Sequence, residues 1–239
     1  LTVNKATLTA TADNKGKAYG AAIPALTITY TGFVNSENAS VLDTPPLATT
    51  TALVTSNVGS YPITASGGVD DNYAFNYVPG TLTINKAILS ATAENKTRTY
   101  GAANPVFTIA YTGFVNGETP AVLNTAPVAS STVTATTPVG SYSISLTGGT
   151  DDNYDIVNTA GTITITKAAL TVTAQNASRV YGATNPVFAF NYSGFVNGET
   201  AAVLTSTPTT STTATQTSAV GTYPITVSGG TATNYDFSY

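Results

Sequence analysis

The chain has no cysteine and no histidine, and it has only 8 basic and 12 acidic residues in a length of 239. Without cysteine it can form no disulfide, no thiolate metal site and no cysteine nucleophile. Without histidine it lacks the most frequent general base, and most of its few carboxylates fall in predicted turns. We therefore expect no catalytic residues and predict that the chain is not an enzyme.

Charge is equally scarce, at 8% of residues against roughly a quarter in ordinary soluble domains. The net charge is −4 and the basic residues are scattered, whereas nucleic-acid binding needs clustered Lys and Arg. No apolar run approaches the ~20 residues of a membrane-spanning helix. We expect neither a nucleic-acid partner nor membrane insertion.

What the chain does contain is a repeat, in which four short motifs recur at a constant spacing of 81 residues. Insertions are absent even from loops, which suits units that stack end to end. The motifs are Tyr-Gly at 19, 100 and 181, Gly-Phe-Val-Asn at 32, 113 and 194, Val-Gly at 58, 139 and 220, and Asn-Tyr at 72, 153 and 234.

This period predicts three units and a fragment. Residues 1–5 match the closing strand of a preceding unit, and residues 6–86 and 87–167 form complete repeats. Residues 168–239 form a third repeat that lacks its last strand. Each unit is small enough to hold one core.

At the boundary between repeats, the sequence predicts that the last strand of one repeat is followed directly by the first strand of the next. Leu82 and Ile84 alternate with threonine, and then Leu89 and Ala91 alternate with polar residues on the opposite parity. Alternation of this kind is typical of half-buried strands. Because the joint between them has no Gly or Pro run, we expect a stiff rod.

Within the second repeat we predict strands over 87–93, 106–111, 127–136 and 140–146. A fifth strand is predicted in two halves, 154–157 and 162–165, split at Gly161. We predict a polar turn over 94–98 and a helix of about two turns over 120–123, capped by Asn116. This order favours a mainly β fold of three tandem β-grasp-like units. Immunoglobulin-like sandwich repeats are the alternative, because their strands have similar spacing.

Two acidic turns are the only candidate metal sites. Asp70 and Asp71, and then Asp151 and Asp152, place oxygen ligands in glycine-rich turns, which suits calcium. The third copy has Ala232 and Thr233 at these positions. Aspartate in a turn more often caps its own backbone, so calcium is a weak candidate and no other cofactor is predicted.

Other recurring residues allow a structural and a functional interpretation. The aromatics Tyr19, Tyr30, Phe33, Tyr61 and Tyr73 could stack on sugars, but packing in small cores is the favoured role. The glycines of the Tyr-Gly motif are expected at positive φ or beneath the tyrosine ring.

The joint lysines are Lys5, Lys86 and Lys167. A covalent Lys–Asn link would need an adjacent carboxylate, for which Glu94 and Glu118 are candidates. A solvated lysine at each boundary is the favoured interpretation.

Taken together, the Tyr-Gly-x-x-Asn-Pro, Gly-Phe-Val-Asn-Gly-Glu and Gly-Thr-Leu-Thr-Ile motifs resemble the "mostly β-grasp" MBG repeats of the Tyr-Gly-x type. The resemblance covers the whole chain three times, although the first copy has Ile23-Pro24 in place of Asn-Pro. It implies tandem arrays in large bacterial surface and secreted proteins, where such repeats serve as adhesin stalks or envelope fibres.

The two ends of the sequence are complementary. Leu1-Thr2-Val3 matches Leu82-Thr83-Ile84, and Tyr239 corresponds to Tyr77. The chain is then either a window from a longer array or a unit that assembles head to tail by strand addition. In the second case, we expect Leu1, Thr2 and Val3 to meet Tyr235, Phe237 and Tyr239 of another copy.

We therefore expect an extracellular, cell-surface spacer or fibre segment whose partners are neighbouring repeats or copies of itself. The alternative is a module that binds glycans or another surface ligand and gains affinity through repetition.

Overall fold

The computed structural model describes all 239 residues and contains 19 short β-strands. The only helices are three 3₁₀ turns of three residues each, and no helix is long and apolar enough to cross a membrane. The fold is therefore mainly β, as the alternating Thr, Val, Ile and Leu predicted.

The first repeat consists of two small sheets. One has the order β3-β1-β6, with β1 antiparallel to β3 and parallel to β6. The other has the order β2-β7-β5-β4, with β7 antiparallel to β5 and parallel to β2. The elements are β1 (Ala6–Ala12), β2 (Lys15–Ala18), β3 (Ile28–Thr31), a 3₁₀ turn (Ala39–Val41), β4 (Leu47–Thr50), β5 (Gly59–Ser66), β6 (Tyr73–Val78) and β7 (Gly80–Asn85).

The second repeat reproduces this plan, with sheets in the order β10-β8-β13 and β11-β12-β14-β9. Its elements are β8 (Ala87–Ala93), β9 (Lys96–Thr99), β10 (Ile109–Thr112), a 3₁₀ turn (Pro120–Val122), β11 (Val128–Ser130), β12 (Gly140–Thr147), β13 (Tyr154–Thr159) and β14 (Gly161–Thr166).

The third repeat keeps the first sheet, in the order β16-β15-β19, and a two-stranded antiparallel hairpin of β17 and β18. Its elements are β15 (Ala168–Ala174), β16 (Phe190–Ser193), a 3₁₀ turn (Ala201–Val203), β17 (Ser206–Thr212), β18 (Ile225–Thr231) and β19 (Tyr235–Ser238).

The predicted two-turn helix is not present, and the helix-containing β-grasp is not confirmed. Only Pro120–Val122 is helical, and Leu123 returns to an extended conformation with ψ of 133°. Neither Asn116, which has φ of 56°, nor Thr119 supplies the predicted side-chain cap. A segment this short cannot offset the cost of helix nucleation, so the flanking strands decide its conformation.

The predicted polar turn and split fifth strand also differ from the structure. Residues 96–98 of the expected turn belong to β9 (Lys96–Thr99), which pairs in parallel with β14. The halves of the fifth strand are separate strands, β13 and β14, in different sheets. Gly161 allows the change of sheet, because a Cβ there would lie 2.3 Å from the carbonyl oxygen of Ala93.

The strand-to-strand boundary is as short as the sequence predicted. Lys86 is the only residue between β7 and β8, and Lys167 is the only residue between β14 and β15. In β7 the buried side chains are at even-numbered positions, Leu82 and Ile84, and in β8 they are at odd-numbered positions, including Ala87 and Leu89. Buried residues therefore lie in the strand before each boundary and in the strand after it.

The chain divides into two compact units that cut across the sequence repeats. The first contains Leu1–Ala91, Tyr111–Val128 and Thr147–Asn158; the second contains Thr92–Ala110, Ala129–Leu146 and Thr159–Tyr239. The main core of the first unit combines residues of repeats 1 and 2, such as Ile63, Leu82 and Tyr154. The core of the second unit combines repeats 2 and 3 in the same way.

We predict that Gly161→Ala lowers the free energy of unfolding by about 1–3 kcal/mol, because the new methyl group overlaps the Ala93 carbonyl. The matched control is Gly16→Ala, where the methyl group would meet only the Thr83 carbonyl at 3.7 Å. Denaturant unfolding of both variants measures the difference. Equal stability of the two variants would show that the backbone contact at Gly161 is not required.

Candidate functional site: the joints between consecutive repeats

A glutamate lies at the centre of the joint between repeats 1 and 2, and its carboxylate accepts hydrogen bonds from both repeats. Tyr19 of repeat 1 donates its hydroxyl to Oε1 of Glu118 at 2.6 Å. Tyr154 of repeat 2 donates its hydroxyl to Oε2 at 2.5 Å. Because hydrogen bonds to a carboxylate are among the strongest in proteins, this pair of bonds fastens the two repeats to one group.

The tyrosine hydroxyls are held in their protonated form. The pKa of Tyr19 is raised above 10.0, first by its hydrogen bond to Glu118 and then by burial. Burial, followed by the hydrogen bond to Glu118, raises the pKa of Tyr154 to about 12. A neutral phenol can donate to the carboxylate, whereas a phenolate would be repelled by it.

Aromatic packing surrounds the carboxylate. The Tyr19 and Tyr154 rings meet edge to face at 5.6 Å and 86°, and Phe114 packs on Tyr154 in the same manner at 5.3 Å. The Val115 N–H donates to the Tyr154 hydroxyl at 2.9 Å, which orients that hydroxyl toward Glu118. The two tyrosines are buried, and a hydrogen bond partly removed from water is stronger than one in solvent.

The glycine of the Tyr-Gly motif provides the space for a valine of the next repeat. A Cβ on Gly20 would lie 2.3 Å from Cγ2 of Val115, and a Cβ on Gly101 would lie 2.4 Å from Cγ2 of Val196. Both glycines have positive φ, 74° and 81°. The prediction of positive φ is confirmed, and the structure adds the reason for the missing side chain.

An asparagine completes each joint. Asn153 accepts a hydrogen bond from the Val58 N–H of the preceding repeat at 2.9 Å, and its backbone carbonyl accepts one from the Ala87 N–H at 3.0 Å. In the second joint, Asn234 accepts from the Val139 N–H at 3.1 Å. The Asn-Tyr motif therefore supplies both an amide and a phenol to the same joint.

The joint between repeats 2 and 3 repeats the carboxylate geometry. Tyr100 donates to Oε1 of Glu199 at 2.6 Å, and Tyr235 donates to Oε2. The two rings meet edge to face at 5.8 Å. Burial and the Glu199 carboxylate raise the pKa of Tyr235 to about 12, and the bond to Glu199 also raises the pKa of Tyr100.

The corresponding residues of the third Tyr-Gly motif are exposed. Tyr181 has an exposed fraction of 67%, compared with 5% for Tyr19 and 3% for Tyr100. A Cβ on Gly182 would have nothing within 4 Å. The tyrosine of the motif is therefore buried in repeats 1 and 2, where the following repeat covers it, and exposed in repeat 3.

The first repeat shows the opposite half of the joint. Glu37 accepts a hydrogen bond at 2.6 Å from Tyr73, a residue of its own repeat. Val34, which corresponds to Val115, is 47% exposed. Repeat 1 therefore presents the glutamate and valine side, and repeat 3 the tyrosine and glycine side.

The family model described as "MBG domain (YGX type)" matches the chain three times, over residues 8–83, 89–164 and 170–239. The chain belongs to this family. In the first two MBG repeats, the Tyr of the Tyr-Gly dipeptide is buried at the joint and the Gly leaves room for a valine of the next repeat. No curated protein matches the chain.

A buried cation supports the Tyr-Gly loop in MBG repeats 1 and 2. Lys17 is 8% exposed and donates to the carbonyls of Ala21 and Val54 at 2.8 and 3.0 Å, and burial lowers its pKa. Arg98 is 6% exposed and donates to Asn104 at 2.9 Å. Sequence reasoning missed both residues because a cation in a short polar segment looked solvated.

Sequence reasoning also missed the role of the glutamate. Glu118 was considered only as a partner for a lysine, whereas its partners are tyrosines. The recurrence of Glu37, Glu118 and Glu199, each two residues after a Gly-Phe-Val-Asn motif, was the signal that could have identified it.

Asp70 and Asp151, two of the four candidate calcium residues, accept hydrogen bonds from backbone N–H groups. Oδ1 of Asp70 accepts the N–H groups of Asn72 and Tyr73 at 2.8 and 2.9 Å, and Asp151 does the same in repeat 2. Asp71 and Asp152 are exposed, and no group of three or more potential acidic ligands is assembled. The turns are aspartate-capped, and calcium binding stays an untested expectation.

The joint lysines make hydrogen bonds and an ion pair. Lys5 donates to the carbonyl of Asp70 and Lys86 to the carbonyl of Asp151, each at 2.7 Å. Lys167 lies 3.4 Å from the carboxylate of Asp236. The carboxylate of Glu118, one of the two candidates for a Lys–Asn link, is engaged by the two tyrosines.

The aromatic residues predicted to pack in the cores do so. Tyr19 and Tyr73 are buried, and Tyr30, Phe33 and Tyr61 are half-buried. This burial favours packing over sugar stacking for these residues.

The residues predicted to form the assembly surface lie in a different sheet from the strand that Leu1-Thr2-Val3 matches, and assembly through them stays a prediction. Tyr235 and Phe237 lie in β19, which pairs in parallel with β15, and Tyr239 immediately follows that strand. The strand that matches Leu1-Thr2-Val3 is β7, which pairs with β5 and β2 in the other sheet. The partners of the matching strand are therefore β5 and β2, whereas the predicted assembly residues Tyr235 and Phe237 lie in the sheet of β15.

We predict that Gly101→Ala lowers the free energy of unfolding by about 1–3 kcal/mol more than Gly182→Ala. The two glycines have nearly the same φ, 81° and 83°, so the conformational strain of alanine is shared. Only Gly101 has Val196 against it. Calorimetric melting of both variants measures the difference. An equal loss of stability in the two variants would show that the valine contact does not explain the glycine at position 101.

We also predict that the chain loses stability as the pH rises above about 10. The unfolded chain releases the Tyr154 proton near the ordinary pKa of 10.0, whereas the joint releases it near about 12, so the unfolded state binds fewer protons between these values. Melting temperatures across this range should fall. Tyr154→Phe should be less stable at neutral pH but show a weaker alkaline loss, and Tyr181→Phe should retain the wild-type slope.

Proposed function

We propose that the chain is a structural spacer, in which MBG repeats hold one another in fixed register so that an attached segment is kept at a distance. The observation that carries this proposal is the shared carboxylate: Glu118 and Glu199 each bind one tyrosine from the preceding repeat and one from their own. A flexible tether would have no use for buried polar contacts between neighbouring units.

The identity of the contact residues supports the same function. The motifs that recur through the chain supply the contacts between consecutive repeats. The carboxylates of Glu118, Glu199, Asp70 and Asp151 are all engaged in structural hydrogen bonds. This use of the acidic groups favours a non-enzymatic role.

The proposed setting is the outside of a bacterial cell, as a stalk or fibre segment of an adhesin-like protein. Three consecutive MBG repeats support an array. The low charge and the hydroxyl-rich strand faces suit a surface that interacts weakly with its surroundings. The proposed partners are adjoining repeats and copies of the same chain.

Glycan binding is the weaker proposal. A sugar platform would need a row of exposed aromatic rings, whereas Tyr19, Tyr73, Tyr100, Tyr154 and Tyr235 are buried. Their burial supports a role in spacing.

The spacer proposal predicts that residues on the two sides of a joint move together. Nitrogen-relaxation NMR on the full chain should give one correlation time for Val58, Val115 and their neighbours. Glu118→Ala removes the shared acceptor and should release the joint, which would appear as faster local motion and faster amide exchange at Val58.

The matched control for this experiment is Glu37→Ala, because Glu37 bonds only to Tyr73 of its own repeat. That variant should leave the motion across the joint unchanged. Independent tumbling of the repeats in the wild-type chain would rule out the spacer function.

A further inference from the structure

The first two strands and the last two strands of repeat 1 form one parallel ladder that continues from one sheet into the other. In the first sheet β1 pairs in parallel with β6, and in the second sheet β2 pairs in parallel with β7. The offset between partners stays at 67 residues throughout, from Ala6 opposite Tyr73 to Ala18 opposite Asn85. Residues 6–18 therefore lie beside residues 73–85 without an insertion in either segment.

An asparagine side chain carries the ladder through the change of sheet. The Thr81 N–H donates to Oδ1 of Asn14 at 2.8 Å, across the same offset of 67 residues. Gly80 permits this close approach, because a Cβ there would lie 2.2 Å from the carbonyl oxygen of Ala12. A hydrogen bond therefore joins the two segments between the strand pairs as well as within them.

Backbone hydrogen bonds close the ladder at both ends. At the first end, the Ala6 N–H donates to the carbonyl of Asn72 at 2.9 Å. At the other end, the Tyr19 N–H donates to the carbonyl of Asn85 at 2.8 Å. The ladder is therefore bonded from the residue where repeat 1 begins to the residue where β7 ends.

Repeat 2 contains the same hydrogen bonds. There β8 lies beside β13, and β9 pairs in parallel with β14. Asn95 accepts the Thr162 N–H at 2.8 Å, again across 67 residues. The bonds at the two ends run from the Ala87 N–H to the Asn153 carbonyl at 3.0 Å and from the Tyr100 N–H to the Thr166 carbonyl at 2.8 Å.

We propose that this ladder is a mechanical clamp, through which repeats 1 and 2 resist tension applied along the chain. The proposal rests on the spacer function above and deepens it by naming the load that the spacer withstands. Tension enters repeat 1 at the start of β1 and leaves it at the end of β7. Because the two paired segments run in the same direction, these two pulls are opposed along the strands, and the ladder is loaded in shear.

The direction of loading decides how the hydrogen bonds break. In a parallel ladder the bonds are evenly spaced along both strands. A load in shear is shared among all of them, so they must break together. A load that separates the strands from one end acts on a single bond at a time, and each bond contributes little net free energy by itself.

The connection between repeats passes tension directly from one ladder to the next. Lys86 alone separates β7 of repeat 1 from β8 of repeat 2. Because both strands are paired, no slack segment takes up the load between them. This connection suits an array whose two ends are pulled apart.

The test is forced unfolding of the full chain, held through cysteine handles in a protein that has no cysteine of its own. Handles at Asn4→Cys and Asn85→Cys load the ladder of repeat 1 in shear. Handles at Asn4→Cys and Asp71→Cys separate the same two segments from one end. All three positions are exposed. At the same loading rate the shear pair should unfold repeat 1 at a force at least about twofold higher, because the unfolding rate sets this force.

Two matched variants of the chain with shear handles test the asparagine at the change of sheet. Asn14→Ala removes the acceptor of the Thr81 N–H. Asn38→Ala removes a similar bond outside the ladder, in which Oδ1 accepts the Ser40 N–H at 3.0 Å. Both variants should melt at a lower temperature than the parent, since each loses one hydrogen bond of the same kind. Only Asn14→Ala should lower the unfolding force in shear.

Equal forces for the two pairs of handles would overturn the proposal, and so would an equal loss of shear force in Asn14→Ala and Asn38→Ala. The comparison of handles needs no change within the ladder, so it decides the question even if Asn14→Ala does not fold. The relaxation experiment on Glu118→Ala is made without load. A weak ladder with a rigid joint would therefore reject the clamp alone, and a strong ladder with independently tumbling repeats would reject the spacer alone.

Discussion

The shared carboxylate is the interaction on which the organisation of this protein depends. A carboxylate that is partly removed from water is costly unless its oxygens are hydrogen-bonded, and the half-buried Glu118 makes those bonds with one tyrosine from each of two repeats. Neither repeat alone completes the set. The polar centre of each joint thus specifies which faces meet, and the surrounding aromatic and valine contacts contribute the apolar burial.

Strand continuity places these groups opposite one another. Lys86 alone separates β7 from β8, and the change of parity there sends Leu82 and Leu89 into the same core. A longer linker would let the repeats rotate and would separate Tyr19 from Glu118. The compact units therefore cut across the repeats, because the burial that stabilises each unit comes from two consecutive copies of the sequence.

The sequence was informative wherever neighbouring residues decide the conformation. Strand alternation predicted β8, β12 and the boundary at Lys86, because side chains of a strand point alternately to its two faces. It failed where distant partners decide: the Pro120–Leu123 segment looked helical by composition, but the bridge that Thr125 makes with Thr150 resumes extended pairing two residues later. Likewise, the polar residues 96–99 became β9 because β14 was available to pair with them.

The sequence by itself determined the number of repeats, their constant spacing, the mainly β fold and the small number of reactive side chains. Each of these follows directly from residue types and local periodicity. Only the tertiary structure decided what the recurring motifs do. Tyr19 and Glu118 are separated by 99 residues, and no local pattern states that a tyrosine of one repeat will meet a glutamate of the next. That meeting depends on how two sheets pack across a shared boundary, which is a property of the folded chain.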